Sequence, residues 1–192
     1  MIMRWLGPIL GRLHIGRFRD WMRFQWARFR SPGTIEAASL PYIEPGFRLR
    51  MKEHSKLVLG KDVKFFGNFA AYIERGAVVT IGDRTIFNSG CWLGAIEGLQ
   101  IGSECLFAPM VTITDGNHRF GQSDLPIWAQ GFENRDVKIG DDVWVGAKAT
   151  VINSIGDSSV IGANAVVTRA VPAGSVAVGI PARVVGSTRP EG

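Results

Sequence analysis

The chain is poor in the residues that carry most metal, redox and disulfide chemistry. Its 192 residues hold two cysteines, Cys91 and Cys105, and three histidines, His14, His54 and His118. Two cysteines cannot build a disulfide framework, and so few thiols in a chain of this size fit a reducing, cytoplasmic setting. No CxxC pair, HExxH helix motif or GxxxxGK[ST] loop occurs. A thiol redox centre, a zincin-type metal site and a P-loop are therefore not expected. No run of 18 apolar residues is present, so hydropathy offers no spanning helix. Arg4, Pro8, Gly11 and Arg12 break up the opening segment, which does not read as a signal peptide.

Glycine, by contrast, is abundant at 24 residues, close to double its usual share. With 46% hydrophobic and 20% charged residues, the composition describes one ordered domain with its own core and many tight corners. The charge is concentrated at one end. Residues 1–30 carry seven arginines against a single acid, Asp20. The net +5 of the whole chain therefore belongs to this segment, and the remainder is close to neutral. A neutral body argues against a nucleic-acid partner, whose electrostatic footprint would spread over the folded domain.

Aromatics interleave with those arginines. Phe18, Trp21, Met22, Gln25 and Phe29 fall on one helical face and Arg19, Arg23 and Arg30 on another, predicting an amphipathic helix over residues 17–30. Upstream, Pro8, Gly11 and Gly16 argue against a long continuous helix. Two readings stay open: an interfacial helix on an anionic membrane surface, or a helix packed on the body or on a neighbouring subunit. Residues 31–56, opening on Ser31-Pro32-Gly33 and containing Pro41 and Pro45, read as a connector.

From residue 57 the chain keeps a six-residue period. Large apolar residues recur at Ile81, Phe87 and Leu93, at Ile101, Phe107 and Ile113, at Ile139, Val145 and Val151, and at Ile155, Ile161 and Val167. Glycine or another small residue usually follows the anchor. Neither a 3.6-residue helix nor simple strand alternation gives this phase; short strands joined by tight corners do. Stacked coils of that kind bury a continuous apolar column. The period breaks at Ala95–Gly98, shortens by two residues at Ile152-Asn153-Ser154, and is interrupted by the long loop 114–138. A loop of that length in a regular solenoid is expected to be functional.

The segments IGDRTIFNSGCWLG (81–94), IGSECLFAPMVTITDGNH (101–118), IGDDVWVGAKATV (139–151) and IGDSSVIGANAVVTRAVPAGSVAVGIPARVVG (155–186) resemble the hexapeptide-repeat acyltransferases. The resemblance covers residues 57–186 and leaves 187–192 as a tail. It implies an all-β, left-handed parallel β-helix assembled as a homotrimer, with active sites between subunits and acetyl-CoA as the acyl donor. His118 matches the family's catalytic base, and a neutral imidazole suits removal of a hydroxyl proton near pH 7. Asp115 either orients that imidazole or caps the turn. Asn88 matches a family Asn that positions the acceptor hydroxyl. Trp144 matches an aromatic of the active-site groove. Ala147 and Ala163 lie where backbone amides would pair with pantetheine, and Thr168-Arg169 and Arg183 where cations would meet the phosphates. Cys91 and Cys105 read as small core residues, and no metal is expected. The function implied is transfer of acetyl to a sugar hydroxyl, of the kind found in bacterial surface polysaccharide assembly. The alternatives are acetylation of a nucleotide-linked amino sugar, an antibiotic or serine, and a non-enzymatic β-helix scaffold.

Overall fold

The computed structural model describes residues 7–121 and 124–189, the side chains of 7–15 excepted. Arg4 and Trp5 of the basic segment, the side chains of Arg12 and His14, and the last three residues of the tail lie outside that description. Short strands run around a three-sided prism and pair in parallel with the coils above and below. The first face is built from Thr34–Ala37, Lys56–Leu59, Val78–Ile81, Gly98–Ile101 and Val137–Ile139. The second runs from Tyr42–Ile43 through Lys64–Phe65, Ile86–Phe87, Leu106–Phe107, Trp144–Val145 and Val160–Ile161 to Ser175–Val178. The third runs from Arg48–Met51 through Ala70–Ile73, Trp92–Ala95, Thr112–Thr114 and Thr150–Val151 to Val166–Val167. Single bridges at Ile155 and Val171 carry the first face onward. Arg183–Ser187 folds back antiparallel on Ser175–Val178. This is the expected left-handed parallel β-helix.

Register explains why the anchors recur every sixth residue. Ile81, Ile101 and Ile139 stack on one another on the first face, Phe65, Phe87, Phe107 and Val145 on the second, and Leu93, Ile113 and Val151 on the third. The phenylalanines form a buried column: Phe65 and Phe87 lie 5.5 Å apart at 11°, Phe87 and Phe107 4.6 Å apart at 6°. Cys91 and Cys105 are buried in the same core, as their position in the hexad implied. Burial pushes both thiols up to about 11.

Where glycine follows an anchor, it is there for a reason other than backbone angle. The left-handed residue of a corner comes two positions later and is seldom glycine: Arg84, Glu104, Asp142 and Ser158 on one edge, Asn68, Met110, Lys148 and Asn164 on another. At Gly82 a Cβ would sit 2.5 Å from the carbonyl carbon of Gly102 in the next coil. Coil-to-coil contact, not φ, requires the missing side chain there.

Two expectations are corrected. The segment 31–56 is not a connector: it forms the first coil, with Ala37 opposite Leu59, Ile43 opposite Phe65 and Leu49 opposite Ala71. The N-terminal helix is also longer than residues 17–30, running from Gly7 to Arg30 without interruption. Gly11 and Gly16 each cost about 1 kcal/mol relative to Ala, and the helix runs through both. The docking face is Asp20, Arg23 and Phe24. In the first coil Tyr42 and Glu44 direct their N–H groups to the coil above, so Ile43 turns its own N–H and carbonyl toward the open end. The Arg23 guanidinium donates to the Ile43 carbonyl at 2.8 Å and lies 3.4 Å from Asp20. Burial pushes the Asp20 carboxyl above its ordinary range; Arg23 and the Ile43 N–H partly offset this.

Candidate active site

The long loop opens as a hairpin. Gly116–His118 pairs antiparallel with Phe132–Asn134, placing His118 opposite Phe132. The two rings lie 4.4 Å apart between centroids, tilted by 36°, and the imidazole is exposed. Farther out the loop carries Phe120, Ile127 and Trp128, all exposed.

Asp115 sets the root of that hairpin. One carboxylate oxygen accepts the Ile96 N–H at 2.7 Å; the other accepts those of Glu97 at 2.8 Å and Gly98 at 2.7 Å. The Asp115 carbonyl in turn accepts the Arg135 N–H at 2.7 Å. The bulge at Ala95–Gly98 and the mouth of the loop are therefore joined through one carboxylate, which is only 1% exposed. The Asp115 carboxylate thus caps the bulge of the preceding coil, seventeen to nineteen residues earlier in the chain. Among the described residues its hydrogen bonds go to these three N–H groups and none goes to His118.

Topology sorts the remaining candidates onto two edges of the prism. Asn88 follows the second-face strand Ile86–Phe87, and Ala147 and Ala163 follow Trp144–Val145 and Val160–Ile161 at the same corner two and three coils later. The Ala147 carbonyl is taken by the Asn164 N–H at 2.9 Å, so coil stacking already uses it. Arg183 reaches this corner by pairing opposite Val178, whose side chain lies over Gly162. Trp144 is 53% exposed, stacked in register between Leu106 and Val160 on the outer side of the second face.

His118, Thr168 and Arg169 belong to the other edge, where the third face hands over to the first. Thr168 and Arg169 directly follow Val166–Val167, and the Thr168 carbonyl accepts the Asn153 side-chain amide at 3.2 Å. Asn153 lies in the shortened corner between Val151 and Ile155; Val167 to Val171 repeats the same four-residue step directly above it. The first of these corners is held further: Asn153 Oδ1 accepts the Ser154 N–H at 2.9 Å, and Ser154 Oγ donates to the Asp136 carbonyl at 3.1 Å. One chain therefore brings Asn88, Trp144, Ala147, Ala163 and Arg183 along one edge and His118, Thr168 and Arg169 along the next. The width of the third face separates the two groups.

Several neighbours escaped the sequence reading. Phe132 buttresses His118 from fourteen residues away, and no local pattern announces that pairing. Leu106 and Val160 share the outer ladder with Trp144; they occupy the position before each anchor, a signal the hexad phase does carry.

No family model matches the chain. In sequence it is 35% identical over 117 residues to an Escherichia coli protein named as a lipopolysaccharide biosynthesis O-acetyltransferase, covering 56% of this chain and 60% of that protein. It is 33% identical over 122 residues to the galactoside O-acetyltransferase of Escherichia coli, covering 59% of this chain and 56% of that enzyme. The chain spans 60% or less of the length of these relatives. In three dimensions it superposes on a hexapeptide-repeat acetyltransferase of Vibrio cholerae, crystallised with acetyl coenzyme A, with a TM-score of 0.61 and 21% identity, covering 94% of this chain and 85% of that one. At that identity the likeness is one of fold. The chain is a left-handed parallel β-helix of the kind found in hexapeptide-repeat acetyltransferases, with curated O-acetyltransferases among its sequence relatives.

Proposed function

We propose that the protein transfers an acetyl group from acetyl-CoA to a sugar hydroxyl, with His118 as general base. The observation that carries this reading is the His118 imidazole: exposed, held on a paired hairpin, and braced by the Phe132 ring at 4.4 Å. His118 takes the hydroxyl proton as the oxygen attacks the thioester carbonyl. The tetrahedral intermediate then expels the thiolate of CoA, which recovers the proton from the imidazolium. No covalent enzyme intermediate is needed. Asn88 orients the acceptor.

Acetyl-CoA fits the edge that carries Asn88, Trp144 and Arg183. The outer ladder of Leu106, Trp144 and Val160 offers apolar cover for an extended pantetheine, and backbone near Ala147 and Ala163 offers amide partners. Arg183 and Arg169 supply cations for phosphate. Because the imidazole and this wall lie on different edges, the working site takes His118 from one copy and Asn88, Trp144 and Arg183 from the next. A closed ring of three satisfies that demand with one interface type. The O-acetyltransferases of lipopolysaccharide and galactoside chemistry among its relatives favour a glycan acceptor of surface polysaccharide assembly, in a cytoplasmic setting where acetyl-CoA is made. The test is release of CoA from acetyl-CoA across a panel of sugar acceptors, read with a thiol reagent. Turnover that needs an acceptor hydroxyl and is lost in His118→Ala is expected; equal turnover in both proteins removes His118 as base.

A further inference from the structure

We propose that the N-terminal helix is a membrane-surface foot: it binds anionic lipid headgroups with its aromatic face while its opposite face closes the first coil. The helix docks on the coil through Asp20, Arg23 and Phe24, which are buried or half-buried. At about 100° per residue, Phe18, Met22, Gln25 and Phe29 fall within a narrow stripe on the opposite side, with Trp21 and Trp26 at its two borders. Gln25 is half-buried, but the apolar members stand largely in the open: Trp26 is 61% exposed and Phe29 83%. Packing against the coil therefore accounts for one face of the helix and leaves the larger apolar face open, a patch that soluble monomers rarely expose without a purpose.

Charge decides the occupant. Arg19 and Arg30 flank the stripe on one side and Arg17 and Arg28 on the other, and all four are exposed. Arg30 lies over the Trp26 ring at 5.4 Å. The described part of the helix carries one acid, Asp20, and that carboxylate is turned into the coil. An aromatic stripe bordered on both flanks by cations matches the headgroup boundary of an anionic bilayer, where rings sit among the headgroups and guanidinium groups meet phosphate. Among the described residues no helix is long and apolar enough to cross a membrane, so the contact lies on the surface. The stripe faces away from the coil along its stacking direction. Copies arranged side by side about a parallel axis would present their stripes in one plane, and their contacts with one membrane would reinforce each other.

The test is flotation of the full chain with vesicles of phosphatidylcholine alone and of phosphatidylcholine with 30% phosphatidylglycerol, at low and at physiological salt. We expect flotation with the anionic vesicles, weakened by salt, and at least tenfold less with neutral ones. Trp21→Ala/Trp26→Ala/Phe29→Ala, all at exposed positions, should lose at least tenfold in vesicle binding with unchanged circular dichroism and mass by light scattering. Arg17→Gln/Arg19→Gln/Arg28→Gln should lose anionic selectivity. Absence of flotation, equal binding to both vesicle types, or a triple aromatic variant that floats like wild type overturns the proposal. So does a triple variant that changes the oligomeric mass, which would assign the stripe to a second copy. Acetyl transfer to soluble acceptors is measured separately and bears on the enzymatic reading alone.

Discussion

The Asp115 carboxylate accepts the Gly98 N–H at 2.7 Å, tying the root of the His118 hairpin to a bulge seventeen residues earlier in the chain. With the bonds to Ile96 and Glu97, three backbone donors depend on one buried side chain. Asp115→Ala leaves all three unsatisfied and should cost about 3 kcal/mol. For a chain of this length that is roughly a 6–12 °C fall in Tm. Activity should fall as well, because the imidazole loses its foundation; Asp115→Asn should recover part of the stability. An unchanged Tm in the Ala variant, by differential scanning calorimetry, would contradict this assignment.

His118→Ala should do the reverse. The side chain is exposed, so stability should stay within about 0.5 kcal/mol of wild type. Removing a general base should cut kcat by about 10²–10⁴-fold. A separation of the two variants, one failing in calorimetry and the other only in turnover, distinguishes positioning from catalysis.

The division of the site between two edges makes a stronger prediction. His118→Ala and Asn88→Ala should each be inactive alone. Denatured together in equal amounts and refolded, they should regain about a quarter of wild-type activity, because random mixing in a cyclic assembly pairs an intact His118 with an intact Asn88 at one interface in four. Failure of the mixed protein to regain activity, with assembly verified by light scattering, would mean that each copy works alone.

The two thiols predict a pH effect. Cys91 and Cys105 are held at about 11 in the fold against an ordinary value near 9. The folded chain therefore keeps protons that the unfolded chain gives up. Stability from this source is complete below pH 9 and declines as pH rises from 9 toward 11. Neither thiol should react with a disulfide reagent at pH 8 until denaturant is added, and both should react then. Rapid modification of the native protein would contradict their burial.

Much of this architecture was legible before the fold was known, and the exceptions have physical causes. The hexad anchors from Leu59 to Val167 report directly on the core because each short strand buries its anchor. The first coil also keeps the step of six, at Ala37, Ile43 and Leu49, but no glycine follows those anchors and Pro41 and Pro45 suggest a linker. The glycines marked the corners correctly for an incomplete reason: they clear the neighbouring coil, while residues such as Arg84 and Met110 take the left-handed angle. His118, Asn88 and Arg183 could be named one by one from resemblance. Their separation onto two edges depends on which corner each coil has reached, which only the stacked register fixes. The clasp from Asn153 to Thr168 links two successive shortened corners, and only the first of them stood out in the sequence.

A stack of rungs held by backbone pairing has no intrinsic stop, since each end exposes a template for another rung. Here the Arg23 guanidinium occupies the Ile43 carbonyl at the first rung, and Arg183–Ser187 turns back across Ser175–Val178 at the last. These two segments cap the second face at both ends of the column, where a neighbouring molecule would otherwise find a free template.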